Sequence, residues 1–333
     1  MTSENDLQFS ELKVTVLAGG VGGAKMVVGF DRALRPGDLS VVVNTGDDFR
    51  HFGLQICPDI DSVCYTLAGV ANKTYGWGLE GETWQVADAL KELGAPTWFQ
   101  LGDRDLAMHM ERTRLLEHGK SLSEVVKTLS RRMGIQSKVY PMSDQPAPTM
   151  IETKQGSVLS FQDYLVRLAA EPEVKRIIHG GGEHAQALPG ALKAIEEADF
   201  VVLAPSNPWV SIDPILARPG ISEALIKQTV YAVSPIILGK ALKGPAAKMF
   251  AELGIEPSSL AVMEHYQETL DYFVHDISEP PIEKNDSPKA ERRVGVPEIV
   301  RTLQFQTIMK DENDKVALAK AICSHYLQNR CDA

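Results

Sequence analysis

The sequence predicts an α/β protein built on a doubly wound, mostly parallel sheet. Short apolar segments of strand length alternate with amphipathic segments of helix length along most of the chain. The first strand, Val14–Ala18, runs into a glycine-rich turn, and a helix separates it from a second apolar strand at Leu39–Asn44. This order is typical of a right-handed parallel crossover, so we expect ligands beyond the carboxyl ends of the strands.

The other elements are predicted from the same periodicities. Apolar runs that stop at Gly, Pro, Asn or Asp indicate strands, and apolar residues spaced three or four apart indicate helices. We expect strands at residues 14–18, 39–44, 96–101, 138–141, 149–152, 174–179, 200–204, 230–237, 260–263 and 304–308, and helices at residues 24–34, 61–71, 82–93, 106–133, 189–197, 221–227, 246–253 and 314–327.

These elements suggest a core and a smaller lobe. We assign residues 12–60 and 135–333 to a nucleotide-binding core and residues 61–134, where helical patterns dominate, to a largely helical lobe. Residues 276–293 are rich in Pro, Glu, Lys and Ser and have little to bury, so we expect a mobile loop there.

Composition limits the classes of partner and compartment. The formal net charge of −10 and the lack of a basic patch argue against a nucleic-acid partner. No apolar run approaches the roughly 18 residues of a membrane span. The first residues have no apolar signal-peptide centre, and the four cysteines form no CxxC pair. We therefore expect a cytoplasmic protein with reduced thiols.

The turn after the first strand, GGVGGAK, suits a phosphate group. Glycines let backbone N–H groups approach an anion, and the N-terminus of the following helix adds a favourable dipole. The alternative is a tight strand-to-helix turn without a ligand. The candidate phosphate-binding residues are Gly19, Gly20, Gly22, Gly23 and Lys25.

Four acids follow the second strand within fifteen residues. Mg²⁺ prefers one or two carboxylates together with phosphate oxygens, so acids beside a phosphate loop predict a magnesium site. We expect Asp48 and Asp61 to be catalytic and to bind the metal. Asp47 is interpreted as a turn residue and Asp59 as a helix N-cap.

Three further segments offer candidate binding residues. In GDRDLA, Arg104 stands between two acids and is suited to a phosphate or a planar heterocycle, although a local helix cap is the alternative. The loops after the predicted strands at 200–204 and 230–237 offer polar donors for a nucleotide. The alternative is that these loops are capped or solvated turns without a ligand. In YGWGLEGETW the two tryptophans are suited to stacking on an aromatic substrate, although such residues more often belong to the core. The candidates are Asp103 and Arg104, Ser206 and Asn207, Lys240 and Lys243, and Trp77 and Trp84.

Together these segments resemble the 2-phospho-L-lactate transferase family of coenzyme F-420 biosynthesis. The matching stretches are VTVLAGGVGGAK, VVVNTGDD, HFGLQICPDIDSVCYTLAG, YGWGLEGETW, LGDRDLA, AxxxADFVVLAPSNPWVSIDPIL and SPIILGKALKGPAAKM, in order from about Lys13 to Gly254. Each stretch alone is weak evidence for the family, but the combination of all of them in this order is specific. The acidic stretch at residues 276–293 departs from the family pattern.

The resemblance implies a reaction and a set of partners. A guanosine diphosphate ester of a small phospho-acid would donate its phospho-acyl moiety to the ribityl hydroxyl of the deazaflavin Fo, giving coenzyme F-420-0 and GMP. It also implies Mg²⁺, a Rossmann-like core, a lobe that covers the acceptor site, and a homodimer. The deazaflavin-contacting acid and basic residue of the family correspond to Asp61 and Arg104. The identity of the phospho-acid (phospholactate, phosphoenolpyruvate or phosphoglycerate) stays open.

Two alternatives remain. The first is a non-enzymatic regulator on the same fold that binds nucleotide sugars. The second is an NAD-type dehydrogenase, which the imperfect glycine fingerprint and the lack of a hydride-transfer constellation disfavour.

Overall fold

A seven-stranded parallel sheet forms the centre of the computed structural model, which describes residues 9–241, 246–282 and 300–330. The described strands are β1 (Val14–Ala18), β2 (Leu39–Val43), β3 (Phe49–His51), β4 (Leu54–Ile56), β5 (Lys138–Pro141), β6 (Thr149–Thr153), β7 (Val158–Ser160), β8 (Val174–His179), β9 (Phe200–Leu203), β10 (Thr229–Val233), β11 (Ile236–Ile237), β12 (Lys240–Ala241), β13 (Tyr272–Asp276) and β14 (Arg301–Phe305).

Helices cover the sheet and connect its strands. They are α1 (Gly20–Ala33), α2 (Pro58–Leu67), α3 (Gln85–Glu92), α4 (Asp103–Glu117), α5 (Leu122–Arg132), α6 (Pro189–Glu196), α7 (Asp213–Leu216), α8 (Ile221–Leu225), α9 (Ala246–Glu252), α10 (Ser259–Tyr266) and α11 (Glu312–Arg330). Short 3₁₀ turns lie at Phe9–Glu11 and Gly182–His184, and π-helical turns at Asp163–Arg167 and Pro208–Ile212. No described helix is both long and apolar enough to cross a membrane.

The strand order confirms the predicted α/β fold. Across the sheet it is β5-β2-β1-β9-β10-β13-β14, and every pair is parallel. The chain builds outward from β1 on one side, then returns to place β9 on the other. The loops after β1 and β9 therefore diverge, and this topological switch point is where a Rossmann-like sheet opens a crevice for ligands.

The two faces of the sheet are buried against separate apolar clusters. Side chains alternate along a strand, so Leu17 of β1 packs on one face while Val14 and Val16 pack on the other. All five residues of β1 are buried. Burial on both faces explains why the central strands are recognisable as uninterrupted apolar runs.

Three small antiparallel units surround the central sheet. The hairpin β3–β4 lies between the two pairs of acids, β7-β6-β8 form a three-stranded sheet, and β11–β12 form a second hairpin. The hairpins were not predicted, because strands of two or three residues are too short to show a periodicity.

Several predicted elements are wrong. Residues 96–101 form no strand, and the apolar run at 260–263 belongs to α10. Conversely, β13 was missed, and it includes Asp276, the first residue of the predicted mobile loop. That side chain is buried, so the loop does not begin there. Residues 283–293 of the loop lie outside the described residues.

The proposed division into core and lobe stays a prediction. Its boundary at residue 61 falls within α2. At the other boundary, Val126 of α5 belongs to the same apolar cluster as the central strands. The helices of the predicted lobe are therefore continuous with the core at both ends.

Helix α1 packs closely on α11, and this contact provides a test of the fold. A Cβ atom on Gly29 would lie 2.3 Å from the carbonyl oxygen of Lys315. A Gly→Ala change in a helix ordinarily stabilises by roughly 0.5–1 kcal/mol. We expect Gly29→Ala instead to destabilise by about 1–3 kcal/mol, because the two helices must separate. Urea unfolding of both proteins measures this, and a stabilised variant would contradict the packing.

Candidate functional site

A cavity of about 890 Å³ opens at the switch point. The loops after β1, β2, β9 and β10 contribute to it, as do residues 58–62 and the segment after β14. Described lining residues include Gly19, Gly20, Gly22, Lys25, Asp47, Asp59, Tyr75, Trp77, Trp98, Phe99, Gln162, Ser206, Asn207, Ser234, Ala241 and Thr307. The fold thus brings most of the predicted phosphate loop to one wall of the cavity.

The glycine loop after β1 is held tightly by its neighbours. The Gly19 N–H donates to Ser206 Oγ at 3.3 Å, and that hydroxyl donates to the Gly19 carbonyl at 2.7 Å. The Gly20 N–H donates to Asp59 Oδ1 at 2.6 Å. These two amides therefore already have partners, and the amides best placed for a phosphate are those that follow Gly20 in the first turn of α1.

The glycines also permit close approach of the surrounding loops. A Cβ atom on Gly19 would lie 2.5 Å from Asp59 Oδ2, and one on Gly22 would lie 2.6 Å from the carbonyl oxygen of Pro205. Gly23 is buried against Ser206, with an added Cβ only 2.5 Å from its Oγ. Ser206 thus fastens the loop after β9 to the loop after β1.

Asp59 connects the glycine loop to the end of β2. Its Oδ2 accepts from Asn44 Nδ2 at 2.8 Å, while Oδ1 accepts from Gly20. Burial raises the pKa of Asp59 to about 6, although the hydrogen bonds from Asn44 and Gly20 act to lower it. The predicted N-cap role is wrong, because α2 begins at Pro58 after Cys57 and Asp59 instead faces the cavity.

Asp47 and Asp48 lie in the turn that follows β2. Burial raises the pKa of Asp47 well above its ordinary value, and the charges of Asp59 and Asp48 raise it further. Burial also raises the pKa of Asp48, although a hydrogen bond with Cys57 opposes this. Gln162 Nε2 donates to Asp47 Oδ2 at 3.1 Å. Within the described chain, Oδ1 of both aspartates is buried without a hydrogen-bond partner.

The charge of Asp61 is compensated by Arg112, a residue that the sequence did not suggest. Arg112 of α4 is 2% exposed, and its two terminal nitrogens donate to the two carboxylate oxygens of Asp61, one of them at 3.1 Å. The same guanidinium donates to the carbonyl of Gln55 in β4 at 3.3 Å. Asp61 and Asp48 are not among the described residues that line the cavity, whereas Asp47 and Asp59 are. Of the four acids, Asp47 and Asp59 are therefore the ones that the fold brings to the cavity, and the predicted functional division stays a prediction.

The acid cluster continues behind Asp61. His109 places Nδ1 3.7 Å from Asp61 Oδ2 and Nε2 3.2 Å from Asp105 Oδ1, and Tyr65 donates to Asp105 at 2.6 Å. Asp61, Asp105 and His109 are spaced as metal ligands can be. Arg112 Nη1 lies 2.9 Å from His109 Nδ1, so a cation is already present among them. This inner group is better explained as a buried ion-pair network than as a metal centre.

A group of aromatic side chains, here called the aromatic end, lines another part of the cavity. Trp77 is 41% exposed and stacks on Tyr75 with 5.8 Å between ring centroids. Trp98 and Phe99 also line this end, with their centroids 5.7 Å apart. Trp84 packs edge-on against Trp77 at 6.3 Å. Trp77 thus faces the cavity directly, and Trp84 supports it.

Asp103 and Arg104 have local structural partners. Asp103 accepts from the N–H groups of Gln85 and Val86 at 3.2 and 3.1 Å, so it caps α3. Arg104 is exposed and donates to the Glu80 carbonyl. Neither is among the described residues that line the cavity. Their predicted roles in substrate binding are not supported by their positions.

The basic and polar candidates on the nucleotide side are distributed differently. Lys25 lines the cavity, and its Nζ donates to the Met309 carbonyl at 3.1 Å. Asn207 lines it too, with Oδ1 accepting from the Trp209 N–H at 3.1 Å. Lys240 is exposed on β12, directly before the cavity residue Ala241. Lys243 lies outside the described residues.

Arg112 and Gln162 were missed as site residues. Arg112 lies 51 residues from Asp61, and Gln162 lies 115 residues from Asp47. Nothing local distinguishes Arg112 from the other charged residues of α4. Only the position of Gln162 beside a π-helical turn, an irregularity common at functional sites, offers a signal, and it is visible only in the structure.

Known proteins are similar over nearly the whole chain. The profile of the CofD family, described as 2-phospho-L-lactate transferase, matches residues 14–311. A phosphoenolpyruvate transferase from Streptomyces griseus subsp. griseus is 43% identical over 261 residues, which cover 77% of this chain and 82% of the relative. A 2-phospho-L-lactate transferase from Methanococcus maripaludis is 36% identical over 318 residues, which cover 95% and 99%.

The fold is also similar to a solved structure. A crystal structure of a UPF0052-family protein from Bacillus halodurans aligns with a TM-score of 0.58 and 16% identity, covering 94% of this chain and 98% of that one. At this identity the likeness concerns the fold alone. The family profile and the curated relatives carry the assignment, and the predicted resemblance is confirmed: the chain belongs to the CofD family of 2-phospho-L-lactate transferases.

Proposed function

We propose that this chain transfers a phospho-acyl moiety from a guanosine diphosphate-linked donor to the ribityl hydroxyl of the deazaflavin Fo, giving coenzyme F-420-0 or its dehydro form and GMP. The observation that carries the proposal is the composition of the cavity. A glycine loop, a group of buried carboxylates and an aromatic wall meet in one space of about 890 Å³. Membership of the transferase family supports the same reaction.

The two substrates are assigned to opposite ends of the cavity. The planar deazaflavin is suited to the aromatic end, at Trp77 and Trp98, because flat rings stack on such side chains. The diphosphate is assigned to the first turn of α1, next to Lys25. The guanosine then extends toward Asn207 and Lys240. This arrangement places the acids between donor and acceptor.

The acids are suited to Mg²⁺. Asp47 and Asp48 each keep one buried oxygen that has no partner in the described part of the chain, and hard cations prefer such oxygens. We assign the ion to these two residues. Asp61 is left out of this assignment, because Arg112 already pairs both of its carboxylate oxygens. When bound, Mg²⁺ neutralises charge on the diphosphate.

The protein contributes mainly orientation and charge. The ribityl oxygen attacks the phosphorus of the phospho-acid, the bond from that phosphorus to the bridging oxygen breaks, and GMP leaves with the bond electrons. Transfer of this kind depends on in-line positioning, which the glycine loop and the aromatic end would provide. Gln162 fixes one oxygen of Asp47 and thereby orients the other oxygen, which would hold the ion, and the proton of the attacking hydroxyl is released to solvent.

The reaction itself is tested by product analysis. The purified chain is incubated with Fo, Mg²⁺ and each of the three donors in turn (the guanosine diphosphate esters of phospholactate, phosphoenolpyruvate and phosphoglycerate). Mass spectrometry should detect F-420-0, its dehydro form or its phosphoglycerate analogue, together with GMP. Binding of Fo or nucleotide without turnover of any donor would contradict the proposal and favour the non-enzymatic alternative.

The role of Asp47 is tested by Asp47→Asn. We expect kcat to fall by about 100-fold or more, because the substitution removes charge where the transferring phosphoryl group is stabilised. Asp88→Asn is the matched control, since this aspartate is exposed on α3. Steady-state kinetics and a urea unfolding curve are measured for both variants. A folded Asp47→Asn protein with near-normal kcat would remove Asp47 from the mechanism.

The pKa of Asp59, raised to about 6, predicts an unusual pH dependence of stability. Between its ordinary value of 3.8 and about 6, the folded state binds the proton more strongly than the unfolded state. The contribution of this carboxyl to stability is therefore present at low pH and is lost as the pH rises through about 6.

We test this with Asp59→Asn, which loses one hydrogen bond at every pH but cannot titrate. Unfolding free energies are measured for both proteins between pH 7.5 and 5 without divalent cations. As the pH falls, the wild-type protein should gain about 1–3 kcal/mol relative to the variant. A difference that stays constant across this range would contradict the raised pKa.

A further inference from the structure

We infer that Glu279 is a positioning residue for the nucleotide end of the cavity, acting through the β11–β12 hairpin. The inference rests on the proposed function and extends it to a turn that the sequence predicted as part of a mobile loop. This turn, residues 276–279, begins at the last residue of β13 and contacts two segments that line the cavity.

One of these segments is the hairpin. Glu279 Oε1 accepts from the Leu238 N–H at 3.0 Å, and Oε2 accepts from the Ser259 hydroxyl at 2.6 Å. Ser259 Oγ lies 2.8 Å from Ser234 Oγ, and Ser234 lines the cavity at the start of the hairpin. The carboxylate thus holds the turn of the hairpin directly and its base through one serine.

The turn of the hairpin is strained, so it needs a stabilising hydrogen bond from a residue outside the hairpin. Leu238 and Gly239 have φ values of +50° and +72°, the positive pair that a two-residue type I′ turn requires. Glycine adopts such angles without cost, whereas leucine does not. A hydrogen bond from the Leu238 N–H to a carboxylate stabilises this conformation. Lys240 and the cavity residue Ala241 follow immediately.

The second segment is held by the same turn. Asp276 Oδ2 accepts from both the N–H and the hydroxyl of Thr307 at 2.9 Å, and Oδ1 accepts from the Ser278 N–H at 2.9 Å. Burial acts to raise the pKa of Asp276, but the hydrogen bonds from Ser278 and Thr307 outweigh it and lower that pKa. Thr307 lines the cavity, and the carbonyl of Met309, two residues later, accepts from Lys25 of α1.

The turn therefore links the β11–β12 hairpin to the segment around Thr307, and it does so without itself lining the cavity within the described residues. Both segments follow strands on the β10–β13–β14 side of the switch point, whereas Trp98 packs on Phe49 of the β3–β4 hairpin, which follows β2 on the other side. A change at Glu279 should disturb the nucleotide and leave the deazaflavin end intact. A residue needed only for stability would affect both ligands.

The test measures binding of GDP and of Fo separately. In Glu279→Gln, one carboxylate oxygen becomes an NH2 donor, so at least one of the two hydrogen bonds that hold the hairpin is lost. We expect the Kd for GDP to rise by about tenfold by calorimetry and the Kd for Fo to stay within about twofold by fluorescence. Ser259→Ala should shift the GDP affinity in the same direction. Glu264→Gln, on the exposed side of α10, is the matched control and should change neither.

A second-site change separates positioning from general destabilisation. Leu238→Gly removes the strained side chain, so the double variant Leu238→Gly/Glu279→Gln should recover at least about threefold of the lost GDP affinity. Unchanged GDP binding in both Glu279→Gln and Ser259→Ala would overturn this inference and leave the proposed function standing. Equal loss of GDP and Fo binding would also overturn it. A wild-type protein that binds neither ligand would overturn both.

Discussion

The site depends on one buried hydrogen-bonded junction, in which Asp59 and Asn44 join the loops at the switch point. Asp59 holds the glycine loop after β1 through Gly20 and the end of β2 through Asn44. Asn44 Nδ2 also donates to the carbonyl of Val210 at 3.1 Å, which brings in the loop after β9. Three loops that would otherwise diverge are thereby fixed, and the glycine turn is held in place by the protein itself.

The same junction brings several acids close together, and burying their negative charges costs free energy. Four carboxylates lie within one short segment, and burial raises the pKa of three of them. Arg112 compensates one acid, and hydrogen bonds compensate parts of the others. The uncompensated oxygens of Asp47 and Asp48 remain. Buried charge of this kind is costly unless it is paired, and this cost is the reason why we propose a cation at these two oxygens.

Much of the fold could be predicted because the central strands are buried on both faces. The run at β9 is apolar throughout and was predicted as a strand, whereas its position beside β1 is given only by the structure. By contrast, β13 ends in His275 and Asp276, both buried, and polar residues in a strand hide it from pattern analysis. Residues 260–263 show the opposite ambiguity, since a short apolar run fits a helix or a strand equally well.

The candidate site was predictable as a group of residues but not in its internal arrangement. Asp59 and Asp61 are two residues apart on α2 and so project about 200° apart around the helix. Which of them faces the cavity depends on how α2 packs, and sequence spacing does not determine this. The partner of Asp61 comes from α4, whose approach to the β3–β4 hairpin is a tertiary contact. Long-range pairs of this kind carry no local signal.

The proposal that both substrates share one cavity is tested most directly by a crystal structure of the chain with GDP, Fo and Mg²⁺ bound together. We predict that both ligands occupy this cavity, with the diphosphate at the first turn of α1 and the deazaflavin ring against Trp77 and Trp98. The ion is expected at Asp47 and Asp48. Binding of the two ligands at separate places, or of Fo away from the aromatic end, would contradict it.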